Sequence, residues 1–113
     1  MKKTIIGLFI IGIFILSGCS SEKKNYDNFA QCLTEKGAKM YGTEWCSHCK
    51  NQKEKFGKSF EFVDYIDCDL EKELCNEAGI RGYPTWVING EKYPGEKEMY
   101  ELAGLAKCSK EWK

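Results

Sequence analysis

The sequence has a single histidine, only one C-x-x-C motif and no excess of either charge. Its 17 basic residues balance 17 acidic residues, so the composition gives no electrostatic preference for nucleic acid. One histidine and one closely spaced cysteine pair supply too few ligands for the usual four-coordinate zinc site. A length of 113 residues leaves room for one domain, which excludes a multidomain enzyme and a nucleotide-binding Rossmann domain.

The N-terminal segment has the features of a targeting signal. The apolar run at residues 4–16 follows a basic start and is shorter than the ~20 residues of a transmembrane helix, a pattern typical of a secretory signal peptide. Leu-Ser-Gly-Cys at residues 16–19 resembles the lipobox of bacterial lipoproteins. The resemblance implies a lipoprotein signal peptide at residues 1–18, lipidation of Cys19 and a polar lipidated tether at residues 19–25. The alternatives are an uncleaved signal anchor and a cleaved signal with Cys19 unmodified.

Cysteine is the unusual component of the composition, with seven residues. So many in a short chain indicate disulfides, metal binding or thiol chemistry. Lipidation of Cys19 would leave six, and an even number outside the cytoplasm favours disulfides. We therefore predict an extracytoplasmic domain at residues 26–113, lipid-anchored to the membrane.

Hydrophobic periodicity predicts alternating helices and strands along this domain. The helices are expected over residues 26–36, 46–56, 70–78 and 99–106, and the strands over residues 38–41, 60–68, 85–88 and 91–93. Asn89-Gly90 is a strong hairpin signal between the last two strands. Strand–helix alternation predicts parallel pairing, and the hairpin adds an antiparallel pair. We expect an α/β fold with a mixed four-stranded sheet flanked by helices.

The chemistry-bearing motif is Cys-Ser-His-Cys at residues 46–49. We expect it at the start of a helix, where the helix dipole stabilises a thiolate at Cys46. Cys49, three residues later, lies on the same helix face within reach of Cys46 and should be the more buried of the two. We expect Cys46 to be exposed, because an exposed nucleophile with an adjacent resolving thiol is the arrangement that disulfide exchange requires.

Two segments resemble thioredoxin-like proteins: Trp45 with the cysteine motif that follows it, and Gly-Tyr-Pro-Thr at residues 82–85. The likeness is closest to the thioredoxin-like domain of vitamin K epoxide reductase homologues. Lys-Met-Tyr-Gly at residues 39–42 and the spacing from Cys68 to Cys75 add to it. The resemblance covers about residues 29 to 106 and implies a thioredoxin-like fold.

The resemblance also implies roles for individual residues. Cys46 would attack the substrate and form a mixed disulfide with it, and Cys49 would resolve that intermediate. Pro84 would be cis and face the cysteines, with the Tyr83 backbone pairing an extended substrate. Trp45 and Tyr83 would form an apolar rim that binds substrate. No cofactor and no metal are predicted for this reaction.

His48 bears on the direction of the reaction. A histidine beside the cysteines can stabilise the Cys46 thiolate and so make the disulfide more oxidising. We therefore predict a membrane-anchored extracytoplasmic thiol–disulfide oxidoreductase that oxidises or isomerises disulfides in exported cysteine-containing proteins. A membrane oxidase of the vitamin K epoxide reductase type is the recycling partner that the resemblance implies. The alternative for His48 is a solvated side chain with no tuning role.

Three other functions stay open at this point. The same fold could act as a reductant of extracytoplasmic disulfides, for example in cytochrome c maturation. Cys46, His48 and Cys49 could instead hold copper or zinc in a metal-binding lipoprotein. A disulfide-braced binding lipoprotein would leave the shared presence of Trp45, the C-x-x-C motif and Tyr83-Pro84 unexplained.

One position departs from the family pattern. Thioredoxins and disulfide isomerases usually carry a buried acid six residues before the first active cysteine, and that position here is Met40. The proton acceptor for Cys49 is therefore absent or supplied elsewhere. Glu44 is nearer in sequence, but a solvated loop charge is the simpler interpretation.

The remaining four cysteines admit several pairings. The resemblance implies a structural disulfide between Cys68 and Cys75, with a second redox pair as the alternative. Cys32 and Cys108 lie off the apolar stripes of their helices, so neither is predicted to fill the core. Elimination suggests that they pair, but classical thioredoxin topology puts the first and last helices on opposite sheet faces. Free thiols and an intermolecular bond are the alternatives.

Overall fold

The computed structural model describes residues 25–112. Within that range the elements are α1 (Asp27–Glu35), β1 (Lys39–Gly42), α2 (Ser47–Phe56), a 3₁₀ helix (Gly57–Phe62), β2 (Asp64–Asp67), α3 (Lys72–Glu77), β3 (Thr85–Ile88), β4 (Glu91–Pro94) and α4 (Met99–Ala106). The predicted signal peptide, Cys19 and all of the predicted tether except Asn25 lie outside the described residues. None of the helices between residues 25 and 112 has the length and apolarity needed to cross a membrane.

The four strands form one mixed sheet in the order β2-β1-β3-β4. β1 runs parallel to β2, with Met40 opposite Tyr65, and antiparallel to β3, with Met40 opposite Trp86. β3 turns into β4 through Asn89 and Gly90, whose φ angles of 52° and 82° are the positive values that a tight hairpin turn of type I′ requires. The predicted mixed four-stranded sheet flanked by helices is confirmed.

Helices cover the two faces of the sheet unequally. Met40, Trp86 and Ile88 point to one face, where side chains of α1, α2 and α4 form the main core. Tyr41 points to the opposite face and packs in a smaller cluster with the segment around α3. Three helices thus cover one face and one short helix covers the other, which leaves the α3 segment near the surface.

The first and last helices lie on the same face of the sheet, so the expectation of opposite faces is wrong. Cys32 of α1 and Cys108, just after α4, form a disulfide with their Cα atoms 6.1 Å apart. Both cysteines are also buried, contrary to the prediction that they lie outside the core. Periodicity misplaced them because the flank of each apolar stripe faces the neighbouring helix instead of solvent.

The predicted strand over residues 60–68 is too long. Residues 57–62 form the 3₁₀ helix, and the strand begins at Asp64. Phe60 packs edge-on against Phe56 and Tyr65, and Ser59 Oγ donates to the Asp27 carboxylate at 2.6 Å. The aromatic residues in this segment therefore indicated burial, which a 3₁₀ helix supplies as well as a strand does.

Candidate active site

Cys46 is the N-cap residue of α2. Its Sγ accepts a hydrogen bond from the backbone N–H of Cys49 at 3.2 Å, in the way that a serine or aspartate oxygen caps an ordinary helix. The positive end of the helix dipole is therefore directed at this sulfur. Cys46 is 8% exposed and Cys49 is fully buried, so Cys46 is the thiol nearer to solvent. The prediction of an exposed nucleophile is wrong, because the loop before β3 covers most of the Cys46 sulfur.

Cys49 occupies a closed position behind Cys46. Burial, together with the hydrogen bond to Cys46, raises the pKa of the Cys49 thiol to about 12, and a backbone hydrogen bond from Thr43 partly opposes this rise. Gly42 makes room for this sulfur, because a Cβ added at Gly42 would lie 2.8 Å from Cys49 Sγ. A thiol in such surroundings stays protonated near neutral pH until a nearby group accepts its proton.

The loop before β3 lies directly beside Cys46. The Tyr83-Pro84 peptide bond is cis, and the Cys46 thiol donates to the Tyr83 carbonyl oxygen at 3.5 Å. Trp45 is two-thirds exposed and meets the Tyr83 ring edge-on at 6.0 Å between centroids. The structure thus brings together Trp45, Cys46, Tyr83 and Pro84, the residues that the resemblance assigned to attack and to substrate binding.

His48 lies on the exposed side of the motif. Its Nδ1 is 3.0 Å from Glu96 Oε1, and its side chain is largely exposed. This contact holds the pKa of Glu96 below its ordinary value. Sequence analysis missed Glu96, since no local signal connects residues 48 positions apart.

A polar cluster of Glu44, Lys53 and Tyr65 lies beside the buried cysteine. Glu44 Oε2 accepts hydrogen bonds from Lys53 Nζ at 2.7 Å and from the Tyr65 hydroxyl at 2.9 Å, and both bonds lower the pKa of Glu44. Burial raises the pKa of Tyr65, and the bond to Glu44 adds to that effect. Met40, which occupies the position of the usual buried acid, is fully buried. Glu44 is exposed, yet these two bonds make it more than a solvated loop charge.

These features have clear counterparts among known proteins. A family model described as Thioredoxin matches residues 20–108. The chain belongs to the thioredoxin family. It is 45% identical over 85 residues to the thiol-disulfide oxidoreductase LTO1 of Arabidopsis thaliana, an alignment that covers 67% of this chain and 23% of that protein. It is 38% identical over 73 residues to protein disulfide isomerase-like 2-2 of Oryza sativa subsp. japonica, covering 52% of this chain and 20% of that protein.

A solved structure agrees with the family assignment at the level of the fold. Thioredoxin NaTrxh from Nicotiana alata superposes with a TM-score of 0.51 at 22% identity, covering 85% of this chain and all of that one. The predicted thioredoxin-like fold is confirmed, and the names of the two curated relatives fall in the predicted enzyme class, protein thiol–disulfide oxidoreductase. The chain spans less than a quarter of the length of these two curated relatives, at 23% and 20%.

Gln52 is a second residue that sequence analysis missed in this thioredoxin-family domain. It is fully buried, and its Oε1 accepts hydrogen bonds from Trp86 Nε1 at 3.0 Å and from the Lys97 N–H at 2.7 Å. Its Nε2 donates to the Lys97 carbonyl oxygen at 2.9 Å. Gln52 therefore joins α2 to β3 and to the loop before α4. A glutamine in a charged helix gives no signal of this role, since its partners come from distant segments.

Of the six cysteines that the structure describes, four form the disulfides Cys32–Cys108 and Cys68–Cys75, whereas Cys46 and Cys49 are free thiols. Between residues 25 and 112, the one group spaced to share a metal ion is Cys32, Cys108 and Glu111, and its two sulfurs are already bonded to each other. Among the described residues, Cys46, His48 and Cys49 do not form such a group.

Proposed function

We propose that the chain is a membrane-anchored, extracytoplasmic thiol–disulfide oxidoreductase that oxidises or isomerises disulfides in exported proteins. The observation that carries the chemistry is the position of the Cys46 sulfur. It lies at a helix N-terminus, 3.2 Å from the Cys49 nitrogen and 3.5 Å from the Tyr83 carbonyl oxygen. A sulfur with these neighbours can exchange with a substrate sulfur, and the buried Cys49 thiol is in position to resolve the mixed disulfide that forms.

In the oxidising direction the enzyme starts with a Cys46–Cys49 disulfide. A substrate thiolate attacks Cys46 Sγ, forms a mixed disulfide and releases Cys49 as a thiolate that takes up a proton. A second substrate thiolate then attacks the substrate sulfur of the mixed disulfide and releases Cys46. The substrate loses two electrons and two protons as its disulfide forms, and the enzyme becomes a dithiol. The reverse sequence reduces a substrate disulfide, so the reduction potential decides the direction.

The oxidising direction rests on His48 and on the relatives. A histidine beside the cysteines favours the thiolate form of Cys46 by its charge, which stabilises the reduced enzyme. One relative is named a disulfide isomerase and another a thiol-disulfide oxidoreductase. A reductase that serves, for example, cytochrome c maturation is the second candidate, since the same dithiol can run in that direction.

The proposed location rests on the sequence of the N-terminal segment. Cys19 would carry the lipid after removal of residues 1–18, and the domain would face the exported proteins that need disulfides. A membrane oxidase of the vitamin K epoxide reductase type would reoxidise the dithiol. The support for that partner is the sequence resemblance of the motifs at residues 39–42, 45–49 and 82–90.

The first test is the reduction potential of the Cys46–Cys49 pair in the full chain, equilibrated against glutathione buffers. We expect a value between about −180 and −120 mV, the range of disulfide isomerases and periplasmic oxidants. A value near about −270 mV would favour the reductase. Absence of a titratable pair would overturn the proposed activity itself.

The anchor is tested separately. We expect the membrane fraction of cells expressing the chain to contain it with residues 1–18 removed and a lipid mass on Cys19. A Cys19→Ser variant should lose both the lipid and the membrane association. A wild-type chain with an unmodified Cys19 in the soluble fraction would contradict the anchor and leave the exchange chemistry untouched.

A further inference from the structure

The loop closed by the Cys68–Cys75 disulfide exposes two leucines. Leu70 is 80% exposed and Leu74 is 48% exposed, and both lie inside the ring that the disulfide closes. The disulfide itself is buried against Tyr41. These leucines are therefore held at the surface by a braced segment, and they contribute little to the core.

This loop is joined to the residues around Cys46. The Trp45 indole N–H donates to Asp69 Oδ2 at 2.9 Å, and Trp45 is the neighbour of Cys46 in the chain. The Tyr83 ring meets Trp45 and also packs against the cluster that contains the disulfide. Trp45 therefore connects the segment that carries Cys46 to Asp69, the residue that precedes Leu70 in the chain.

The segment that carries the two leucines is acidic. The exposed residues of the segment at 69–77 include four carboxylates and one lysine, namely Asp69, Glu71, Glu73, Glu77 and Lys72. A cationic side chain near the leucines would meet a complementary potential, whereas an anionic side chain or an anionic lipid surface would be repelled.

We propose that the loop at residues 68–75 is a docking surface for the polypeptide that flanks the reacting cysteine of the substrate. Its occupant is a substrate segment that carries an apolar side chain and lysine or arginine. The apolar side chain packs on Leu70 and Leu74, and the basic side chains pair with Glu71 and Glu73. The inference deepens the proposed function, since it names the substrate class of the same site and depends on exchange at Cys46.

The test uses two dithiol peptides of equal length that differ only in the residues flanking the cysteines. One carries leucine and lysine, and the other carries serine and glutamate. The full chain with an oxidised Cys46–Cys49 pair is mixed with each peptide, and the single-turnover rate of peptide disulfide formation is measured at low and high salt. Glutathione serves as a small thiol that does not reach the loop.

We expect the basic, apolar peptide to react about tenfold faster than the acidic one at low salt, with the preference reduced at high salt. A Leu70→Ser/Leu74→Ser variant should lose most of this preference. In a Glu71→Gln/Glu73→Gln variant, the rate preference between the two peptides should no longer depend on the salt concentration. Two control variants should leave the preference unchanged. Tyr100→Ser on α4 removes another exposed large hydrophobic side chain, and Glu35→Gln on α1 removes another carboxylate. All variants should react with glutathione at the wild-type rate.

Two outcomes would overturn the docking surface and leave the proposed function standing. One is equal rates for the two peptides with normal glutathione exchange. The other is a dimer of the chain that the Leu70→Ser/Leu74→Ser variant abolishes, with no peptide preference, which would assign the surface to a second copy. Failure of the proposed function gives a different result, because neither the peptides nor glutathione would then exchange.

Discussion

The backbone N–H of Cys49 lies 3.2 Å from the sulfur of Cys46 and donates a hydrogen bond to it. The bond makes Cys46 the cap of α2 and places both thiols in the first turn of one helix. Both thiols are buried, but Cys46 keeps 8% of its surface exposed whereas Cys49 keeps none. The thiol nearer to solvent is suited to attack, and the fully buried thiol is suited to resolve the mixed disulfide.

Alkylation should separate the two thiols. We expect iodoacetamide near about pH 7 to modify Cys46 in the reduced protein and to spare Cys49, because only thiolates react and burial raises the pKa of Cys49 to about 12. Peptide mapping by mass spectrometry across a pH series measures both sites. Cys49 labelling at the rate of Cys46 near neutral pH would contradict the buried position.

The same shift predicts how stability depends on pH. The pKa of Cys49 is higher in the folded state than its ordinary value of 9.0, so deprotonation favours the unfolded state. The free energy of unfolding of the reduced protein should fall as the pH rises from about 9 towards 12. In a Cys49→Ala variant, the free energy of unfolding should fall less over this pH range. Identical pH profiles for the variant and the wild type would show that the pKa of Cys49 is not raised in the folded state.

Lys53 should assist the buried thiol. It lies four residues after Cys49 on α2, its Nζ is 4.2 Å from the Tyr65 ring centroid, and its charge lowers the pKa of Cys49. We expect Lys53→Met to raise that pKa and to slow resolution of a mixed disulfide by about threefold to tenfold. Quenched-flow measurement of the resolving step is the readout. The control is Lys50→Met, which removes an exposed charge next to Cys49 and should change little.

The local signals of the sequence were sufficient for most of the fold. Helix periodicity located α1 and α4, and Asn89-Gly90 located the hairpin, because each depends on neighbouring residues. The cysteine motif likewise predicted a helix start at Cys46. The failures share a different cause: the placement of Cys32 against Cys108 depends on how separate elements pack.

Side-chain partners were the least predictable part of the site. The contact between His48 and Glu96 joins residues far apart in the chain, and the bonds of Gln52 cross from α2 to two other segments. Neither residue has a local pattern that requires its partner. The predicted strand includes residues 60–62 because their aromatic side chains indicate burial, and burial does not distinguish a strand from the 3₁₀ helix that these residues form.

Gly42 should tolerate no side chain. A Cβ at this position would lie 2.8 Å from Cys49 Sγ and 3.4 Å from the Tyr65 ring, so Gly42→Ala must displace the resolving sulfur. We expect a loss of about 1–3 kcal/mol in the free energy of unfolding together with slower exchange. Gly104→Ala is the matched control, since that site in α4 is open and alanine favours the helix by about 1 kcal/mol. Equal stability of Gly42→Ala and wild type would show that the sulfur has room to move.

His48 should tune the reduction potential. If its charge stabilises the Cys46 thiolate, His48→Ser should lower the potential by about 30 mV, a roughly tenfold change in the equilibrium constant of this two-electron couple. Equilibration with glutathione measures the shift. Lys58→Ser, which removes an exposed charge from the 3₁₀ helix, should leave the potential unchanged. An unchanged potential in His48→Ser would identify His48 as a solvated side chain with no tuning role.

The two disulfides should contribute unequally to stability. Cys32–Cys108 closes a separation of 76 residues and Cys68–Cys75 a separation of 7, and a longer closed loop restricts the unfolded chain more. Loop entropy alone gives about 4.5 kcal/mol for the first and about 2.4 kcal/mol for the second. We expect Cys32→Ala/Cys108→Ala to lower the free energy of unfolding about twice as much as Cys68→Ala/Cys75→Ala, measured by denaturant titration with Cys46 and Cys49 oxidised.

The two disulfide variants also distinguish an effect on stability from an effect on substrate binding. Loss of Cys68–Cys75 releases the loop that carries Leu70 and Leu74, so it should weaken the peptide preference while costing less stability. Loss of Cys32–Cys108 affects the seam between α1 and α4, on the sheet face opposite α3, and should leave that preference intact. The reverse ranking of the two stability losses would mean that the unfolded chain is already compact, because residual structure removes the advantage of the longer loop.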